Sequence, residues 1–386
     1  MDARATGPEV PAAAASQKGA FEWMRHLLAM ADVQLQGDRP WDLRLLAPGV
    51  PERVLAQGTV GLGEAYMDGW WTAERLDLLF ERLVRAQLAD KVQPLAVAWK
   101  AVQARWLNRQ TLRRAWQVGR QHYDLDNRFY RAMLDPRMTY TCAYWQGAET
   151  LAQAQENKLD LVCRKLGLQP GMQVLDIGCG WGSFMRFAAE HYGVQCVGVT
   201  VSAEQVALGR ELCQGLPVEF RLQDYRELQG RFDRIVSLGM FEHVGHKNDR
   251  LYMEVAHRCL EPEGMFLLHT IGRNEHGHGT DPWIDKYVFP NGELPTIARI
   301  GRAVERLFVV EDLHNFGADY DRTLMAWHAN FEAAWPQFAD QLGERFQRMW
   351  RYYLLSCAGA FRARDIQLWQ WVLSKSGVPG GYTRIS

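Results

Sequence analysis

From Pro170 onward the chain alternates between short strand-like runs and segments with helical patterns. The first kind reads as buried strand and falls at 173–177, 195–200, 218–222, 233–238, 265–270, 308–313 and 366–373. The second reads as helix, for example at 183–190, at 202–213, where Ser202 and Gln205 have capping-box spacing, and at 249–260. Seven strands, five of them in β–α–β rhythm, predict an open, mostly parallel sheet with helices on both faces. Ligands of such sheets bind at the carboxyl ends of the strands, near the reversal of strand order. Upstream, 21–120 is mostly helical in pattern, and the first twenty residues are rich in Ala with no apolar core. The expected organisation is a disordered tail at 1–20, a smaller helical domain at 21–120 and an α/β domain at 121–386.

One strand–helix junction carries chemistry: Val174-Leu175-Asp176-Ile177-Gly178-Cys179-Gly180-Trp181-Gly182. Glycines at a strand–loop–helix turn tolerate positive φ and let a nucleotide-like ligand lie against bare backbone. The G-x-G-x-G spacing differs from the dinucleotide fingerprint, and no phosphate-binding Lys follows. That points to S-adenosylmethionine, a ligand with no phosphate to anchor, and to a Rossmann-like class I methyltransferase domain. Asp176 ends its strand as an acceptor for an ammonium or amino-acid head. The second strand ends at Thr200, with Gln205 one turn on, in place of the usual acidic residue; both can hydrogen-bond a ribose or serve only the helix start.

Composition narrows the class. The 386 residues are 47% hydrophobic with 15 Trp, enough for a full core, and the formal net charge is −1. No apolar run approaches the ~18–20 residues of a membrane span, and no signal peptide is visible. The seven cysteines lack a C-x-x-C pair, a reduced cytosolic pattern with no zinc site expected, including at His276 and His278. Between 99 and 120 there is no acidic residue, and Arg105, Arg109, Arg113 and Arg120 share one helical arc near Trp106 and Trp116. Two readings of that face stand, an anionic membrane contact or a packed helix whose arginines reach outward.

Longer words then accumulate in one order: Glu64-Ala-Tyr-Met-Asp-Gly-Trp-Trp71, His122-Tyr-Asp-Leu125, Thr139-Tyr-Thr-Cys-Ala-Tyr-Trp145, Gln223-Asp-Tyr-Arg226, Gly239-Met-Phe-Glu-His-Val-Gly245, Asp281-Pro-Trp-Ile-Asp-Lys-Tyr287, His314-Asn-Phe-Gly-Ala-Asp-Tyr320 and Tyr353-Leu-Leu-Ser-Cys-Ala-Gly-Ala-Phe361. With the glycine loop, they make the chain, from about residue 20 to its end, resemble bacterial cyclopropane-fatty-acyl-phospholipid synthases. The mycolic acid cyclopropane synthases share the catalytic part. The resemblance implies methylene transfer from S-adenosylmethionine to the cis double bond of a phospholipid acyl chain. It also implies a homodimer, cytoplasmic and peripheral to the inner face of the cell membrane.

Such chemistry passes through an acyl carbocation, so the pocket should be apolar and aromatic, and a base must remove a proton for the ring to close. In the family that base is a bound bicarbonate ion. The resemblance carries its site to Cys142, Glu242, His269, Tyr320 and the backbone of Ile271. It assigns the methyl donor to Tyr140, Thr141, the Gly178–Gly182 loop (Gly178, Gly180, Gly182), Thr200, Gln205, Asp224 and Tyr225. Ser183 follows the loop, where it can cap the helix. Cys357 matches a cysteine designated a nucleophile in the family; alkene attack on a sulfonium needs no covalent enzyme intermediate, so a small buried thiol is the preferred reading. An alternative ends the same carbocation in a branched or methylene product. A nucleic-acid methyltransferase is disfavoured by the near-zero charge and the missing D/N-P-P-Y/F motif. A non-catalytic lipid-binding protein would not need the complete motif set.

Overall fold

The computed structural model describes residues 17–92, 127–275 and 280–386. The Arg105/Arg109/Arg113/Arg120 face with Trp106 and Trp116, the 122–125 block, and His276 and His278 lie outside the described residues. The chain divides into two compact units. The first comprises Met1–Leu107, Asp281–Val288 and Phe331–Asp365, and the second Asn108–Thr280, Phe289–Asn330 and Ile366–Ser386.

The first unit therefore draws in two stretches that a contiguous reading assigns to a 121–386 domain. Packing explains why. Helix Val50–Met67 is kinked at Gly58, where φ is 60°. Its Gly63 lies so close to the Trp283 indole that a Cβ there would stand 2.3 Å from Cδ1. Trp283 meets Tyr352 at a tilt with ring centroids 4.3 Å apart, and Tyr352 meets Phe80 and Tyr66 in turn. Small-to-large contacts of this kind make a shared aromatic core from segments far apart in sequence. In the 64–71 word, Glu64 accepts from Arg53, Lys286 and the Tyr287 hydroxyl, which hold its carboxyl down to about 2 against the effect of burial. A helix already begins at Gln17, so the expected tail to residue 20 ends too late by a few residues.

The second unit holds a seven-stranded sheet: β1 (Gln173–Ile177), β2 (Gln195–Thr200), β3 (Val218–Leu222), β4 (Phe232–Leu238), β5 (Leu260–Arg273), β6 (Val309–Asn315) and β7 (Ile366–Ser374). Its order is β3-β2-β1-β4-β5-β7-β6. β1 to β5 are parallel, and β7 runs antiparallel to both neighbours. This is the expected Rossmann-like class I architecture. β5 starts at Leu260, earlier than its apolar run, because Glu261 and Glu263 hide the strand in a polar stretch. The reversal of order lies at β1, between β2 and β4, so the carboxyl ends of those strands frame the natural binding crevice. Register aligns Leu238 with His269 across β4–β5 and His269 with Gln370 across β5–β7. Among the described residues no helix is long and apolar enough to cross a membrane.

Candidate active site

A cavity of about 190 Å³ opens at that crevice. Its wall is built at the end of β1. Asp176 is 2% exposed, and its Oδ1 has no hydrogen-bond partner. Burial pushes its carboxyl up to about 7, opposed by the nearby Lys158 ammonium. The three loop glycines all have positive φ but differ in role. A Cβ on Gly178 would stand 2.8 Å from Met240 Cβ, and one on Gly182 would stand 2.4 Å from the Phe220 ring. Only at Gly180, with φ 54°, is the Cβ position open. Two of the glycines thus serve protein packing, and Gly180 is the place where a ligand can approach bare backbone.

Gly182 itself is the N-cap of helix Ser183–Tyr192, with no side-chain cap. Ser183, expected to cap, is already helical, and its hydroxyl pairs with Thr139 at 2.6 Å. That bond straps the 139–141 segment to the loop. Helix Leu151–Lys165 fixes the same segment from its buried face: Gln155 donates to the Thr141 carbonyl at 2.9 Å and Lys158 to the Thr141 hydroxyl at 2.8 Å.

At the end of β2, Ser202 accepts from the Gln205 backbone, but the Gln205 side chain does not reach back as a capping box requires. Its Oε1 accepts from the Thr200 hydroxyl at 2.7 Å instead. Asp224 is 2% exposed and accepts from the backbone and side chain of Arg226, while the Tyr225 hydroxyl is buried without a partner.

A second polar cluster is centred on β4, β5 and β7. Glu242 stands on a single 3-10 turn, Phe241–His243, just past β4. Its Oε1 accepts from the Ile271 amide at 2.7 Å, and its Oε2 is buried without a partner. Burial raises its carboxyl to about 7. The Ile271 backbone, expected to complete the cradle of a bound ion, is engaged within the protein at both groups: its N–H by Glu242 and its carbonyl by the Thr270 hydroxyl. His269 is 1% exposed, and burial pushes it well below the usual imidazole range, so the ring is neutral. The Gln370 amide donates to its Nδ1 at 3.3 Å, which leaves the ring proton on Nε2, an atom with no partner. Cys142 is fully buried, its thiol kept protonated by burial and bonded to the Ala143 carbonyl. Three bonds tie its segment to helix Ala318–Ala334, which carries Tyr320: the Ala143 N–H and the Trp145 indole N–H to the Thr323 hydroxyl, and the Trp145 backbone N–H to Asp319. The Phe316 ring bridges His269 and Tyr144 at 5.9 and 5.3 Å.

The chain matches the "Mycolic acid cyclopropane synthetase" family over residues 110–371. It belongs to that family. A cyclopropane-fatty-acyl-phospholipid synthase of Escherichia coli K12 is 53% identical over 93% of this chain and 95% of its own length. The structure of the cyclopropane synthase MmaA2 from Mycobacterium tuberculosis is similar with a TM-score of 0.64 and 34% identity, over 67% of this chain and 98% of that one. A crystal structure of the mycolic acid cyclopropane synthase CmaA1 complexed with SAH and CTAB aligns with a TM-score of 0.63 and 36% identity, over 67% and 98%.

Within this cyclopropane synthetase fold the residues singled out from the sequence fall into groups. Tyr140, Thr141, Asp176, Gly178, Gly180, Thr200, Gln205, Asp224 and Tyr225 line the cavity, and Gly182 does not. Cys142, Glu242, His269 and Tyr320 lie outside its lining. Cys357 is in the first unit, where burial pushes its thiol up to about 12 and suppresses the thiolate a nucleophile needs. Two residues escaped the sequence reading, Lys158 and Gln370. Both are polar residues with buried apolar neighbours, Leu159 and Val162 for one, Trp369 and Trp371 for the other, and Lys158 shares its buried helix face with Gln155. That interruption was the available signal.

Proposed function

We propose that this protein is an S-adenosylmethionine-dependent cyclopropane synthase that acts on cis-unsaturated acyl chains of phospholipids. The observation that carries the reading is the 53% identity to the Escherichia coli synthase along nearly the whole of both chains. The cavity fits the donor: an unpaired buried carboxylate, one open glycine and a buried phenol are what an amino-acid head and a nucleoside require. When bound, S-adenosylmethionine supplies an electrophilic methyl group. Asp176, Thr141, Gly180 and Gln205 hold and orient it, while Tyr140, Asp224 and Tyr225 complete the nucleoside end.

In this reading Glu242, His269, Tyr320 and Cys142 form a second subsite, which holds bicarbonate as the base. The donor set suits such an ion: His269 Nε2–H can donate to it, and Glu242 Oε2 can accept from its hydroxyl. A carboxylate beside the ion also keeps the ion basic. Ring contacts such as the tilted Tyr140–Trp327 and edge-on Tyr320–Trp327 pairs keep water from a cationic acyl chain. The proposal extends to a homodimer in the cytoplasm, docked on the inner face of the membrane, since the substrate bond lies inside a bilayer. The test is incubation with methyl-labelled S-adenosylmethionine and vesicles of monounsaturated phospholipid. Label should enter an acyl chain that gains one CH2 and co-elutes with a cyclopropane standard. Labelled branched chains would redirect the proposal to simple methylation, and unlabelled lipid would end it.

A further inference from the structure

The cavity wall holds a buried cation as well as a buried anion. Lys158 is 0% exposed on helix Leu151–Lys165 and lines the cavity. Among the described residues its Nζ makes one hydrogen bond, to Thr141 Oγ1 at 2.8 Å. An ammonium carries three donors, so two N–H groups lack acceptors. Burying this charge is costly even with the Asp135 and Asp176 carboxylates in its field, and burial lowers Lys158 to about 8. Asp176, on the same wall, shows the mirror condition, with Oδ1 unpartnered. A wall with one unsatisfied cation and one unsatisfied anion is complementary to a zwitterion.

The bond to Thr141 has a directional consequence. An ammonium can only donate, so Thr141 Oγ1 accepts on that side, and its own proton is free to donate elsewhere. Thr141 also lines the cavity. Gln155, one turn before Lys158 on the same helix face, pins the Thr141 carbonyl and fixes where that hydroxyl stands.

We infer that Lys158, with the Thr141 hydroxyl beside it, binds the carboxylate of the donor's amino-acid end, and that Asp176 takes the ammonium. Lys158 is then the residue by which the cavity selects a complete methionyl head over a truncated one. The inference rests on the reading of this cavity as the S-adenosylmethionine site. It assigns Lys158 a role in selectivity, whereas a merely structural lysine would affect all adenosine ligands alike.

Titration calorimetry with three probes separates these cases: S-adenosylmethionine, its decarboxylated analogue and methylthioadenosine. The wild-type protein should bind S-adenosylmethionine roughly 10- to 100-fold more tightly than the decarboxylated form, the usual effect of a charge-assisted bond. In Lys158→Met and Lys158→Gln that preference should collapse, with methylthioadenosine affinity held within about threefold. Equal wild-type affinity for the first two probes overturns the inference with no variant needed. An equal loss for all three probes in the variants also overturns it and makes Lys158 structural. Wild-type protein that binds none of the three would instead remove the reading of the cavity itself.

Discussion

Asp176 and Glu242 are two buried carboxyl groups at the carboxyl ends of adjacent strands, both raised by burial to about 7. Their surroundings differ. Asp176 has a cation in its field, Lys158, and an open cavity before it. Glu242 has no cation among its causes; a backbone N–H from Ile271 holds one oxygen and leaves the other bare. A carboxylate balanced by a nearby cation is suited to stay ionised and hold a charged ligand. A carboxyl held only by neutral donors in an apolar setting is suited to take up and release a proton near neutrality. The fold thus uses one device, a buried acid at a strand end, for two tasks, and the second neighbour decides which.

The largest expected effect tests that division. Glu242→Gln keeps the bond to Ile271 but removes the proton acceptor, and should lower cyclopropane formation by ~10²–10⁴-fold. Donor affinity, followed by calorimetry, should stay within a few-fold. Asp176→Asn should do the reverse, with donor affinity reduced by roughly 10- to 100-fold and a smaller effect on rate at saturating donor. If the two variants exchange phenotypes, the comparison fails.

A thermodynamic test comes next. Near pH 3.8, the ordinary value for Asp176, its carboxyl begins to ionise in the unfolded chain only. From there to about 7 each pH unit removes about 1.4 kcal/mol from the folded state, and above 7 the loss is complete. Ligand-free Asp176→Asn should therefore resist urea better than wild type at pH 8, by about 1–3 kcal/mol once the buried amide's own cost is counted. The gap should shrink as pH falls and reverse near pH 4, where Asp176 is protonated in the folded chain and only the cost of the buried amide is left. A gap independent of pH would mean that Asp176 is not held away from its usual range.

Smaller effects sharpen the Glu242 side. Gln370→Leu removes the donor to His269 Nδ1 and frees the ring to change tautomer. Turnover should fall about 10-fold, the scale of one neutral hydrogen bond, with donor affinity unchanged. Cys357→Ser should leave single-turnover rates within about twofold, because a thiol held so far from ionisation has no thiolate to offer. A rate collapse there would restore the cysteine as a nucleophile.

Much of the fold was legible because most strand runs, though short, are rich in apolar residues and bounded by turn signals. All seven strands lie where the pattern put them, with shifts at β5 and β6 where charged residues occur within the strand. The two-unit organisation was less legible. Nothing local to Asp281–Val288 or Phe331–Asp365 reveals that Trp283 and Tyr352 meet Gly63 and Phe80. Side-chain pairing was harder still: Thr200 and Gln205 could be placed at a ligand site, but not bonded to each other. Lys158 and Gln370 matter only through partners supplied by other elements, and sequence spacing does not encode a partner's distance.

The place of β7 has a consequence for how the molecule is made. β7 is last of the seven strands in the chain yet lies inside the sheet, between β5 and β6. Until it emerges from the ribosome, β6 has no neighbour in the sheet, β5 presents a bare edge, and His269 lacks Gln370. Edges of that kind are where nascent chains pair wrongly, and late, long-range strand insertion is slow. The second polar cluster is thus the last part of the sheet to be finished, so a chain stalled before residue 366 could assemble much of its donor cavity and still lack a completed His269 environment.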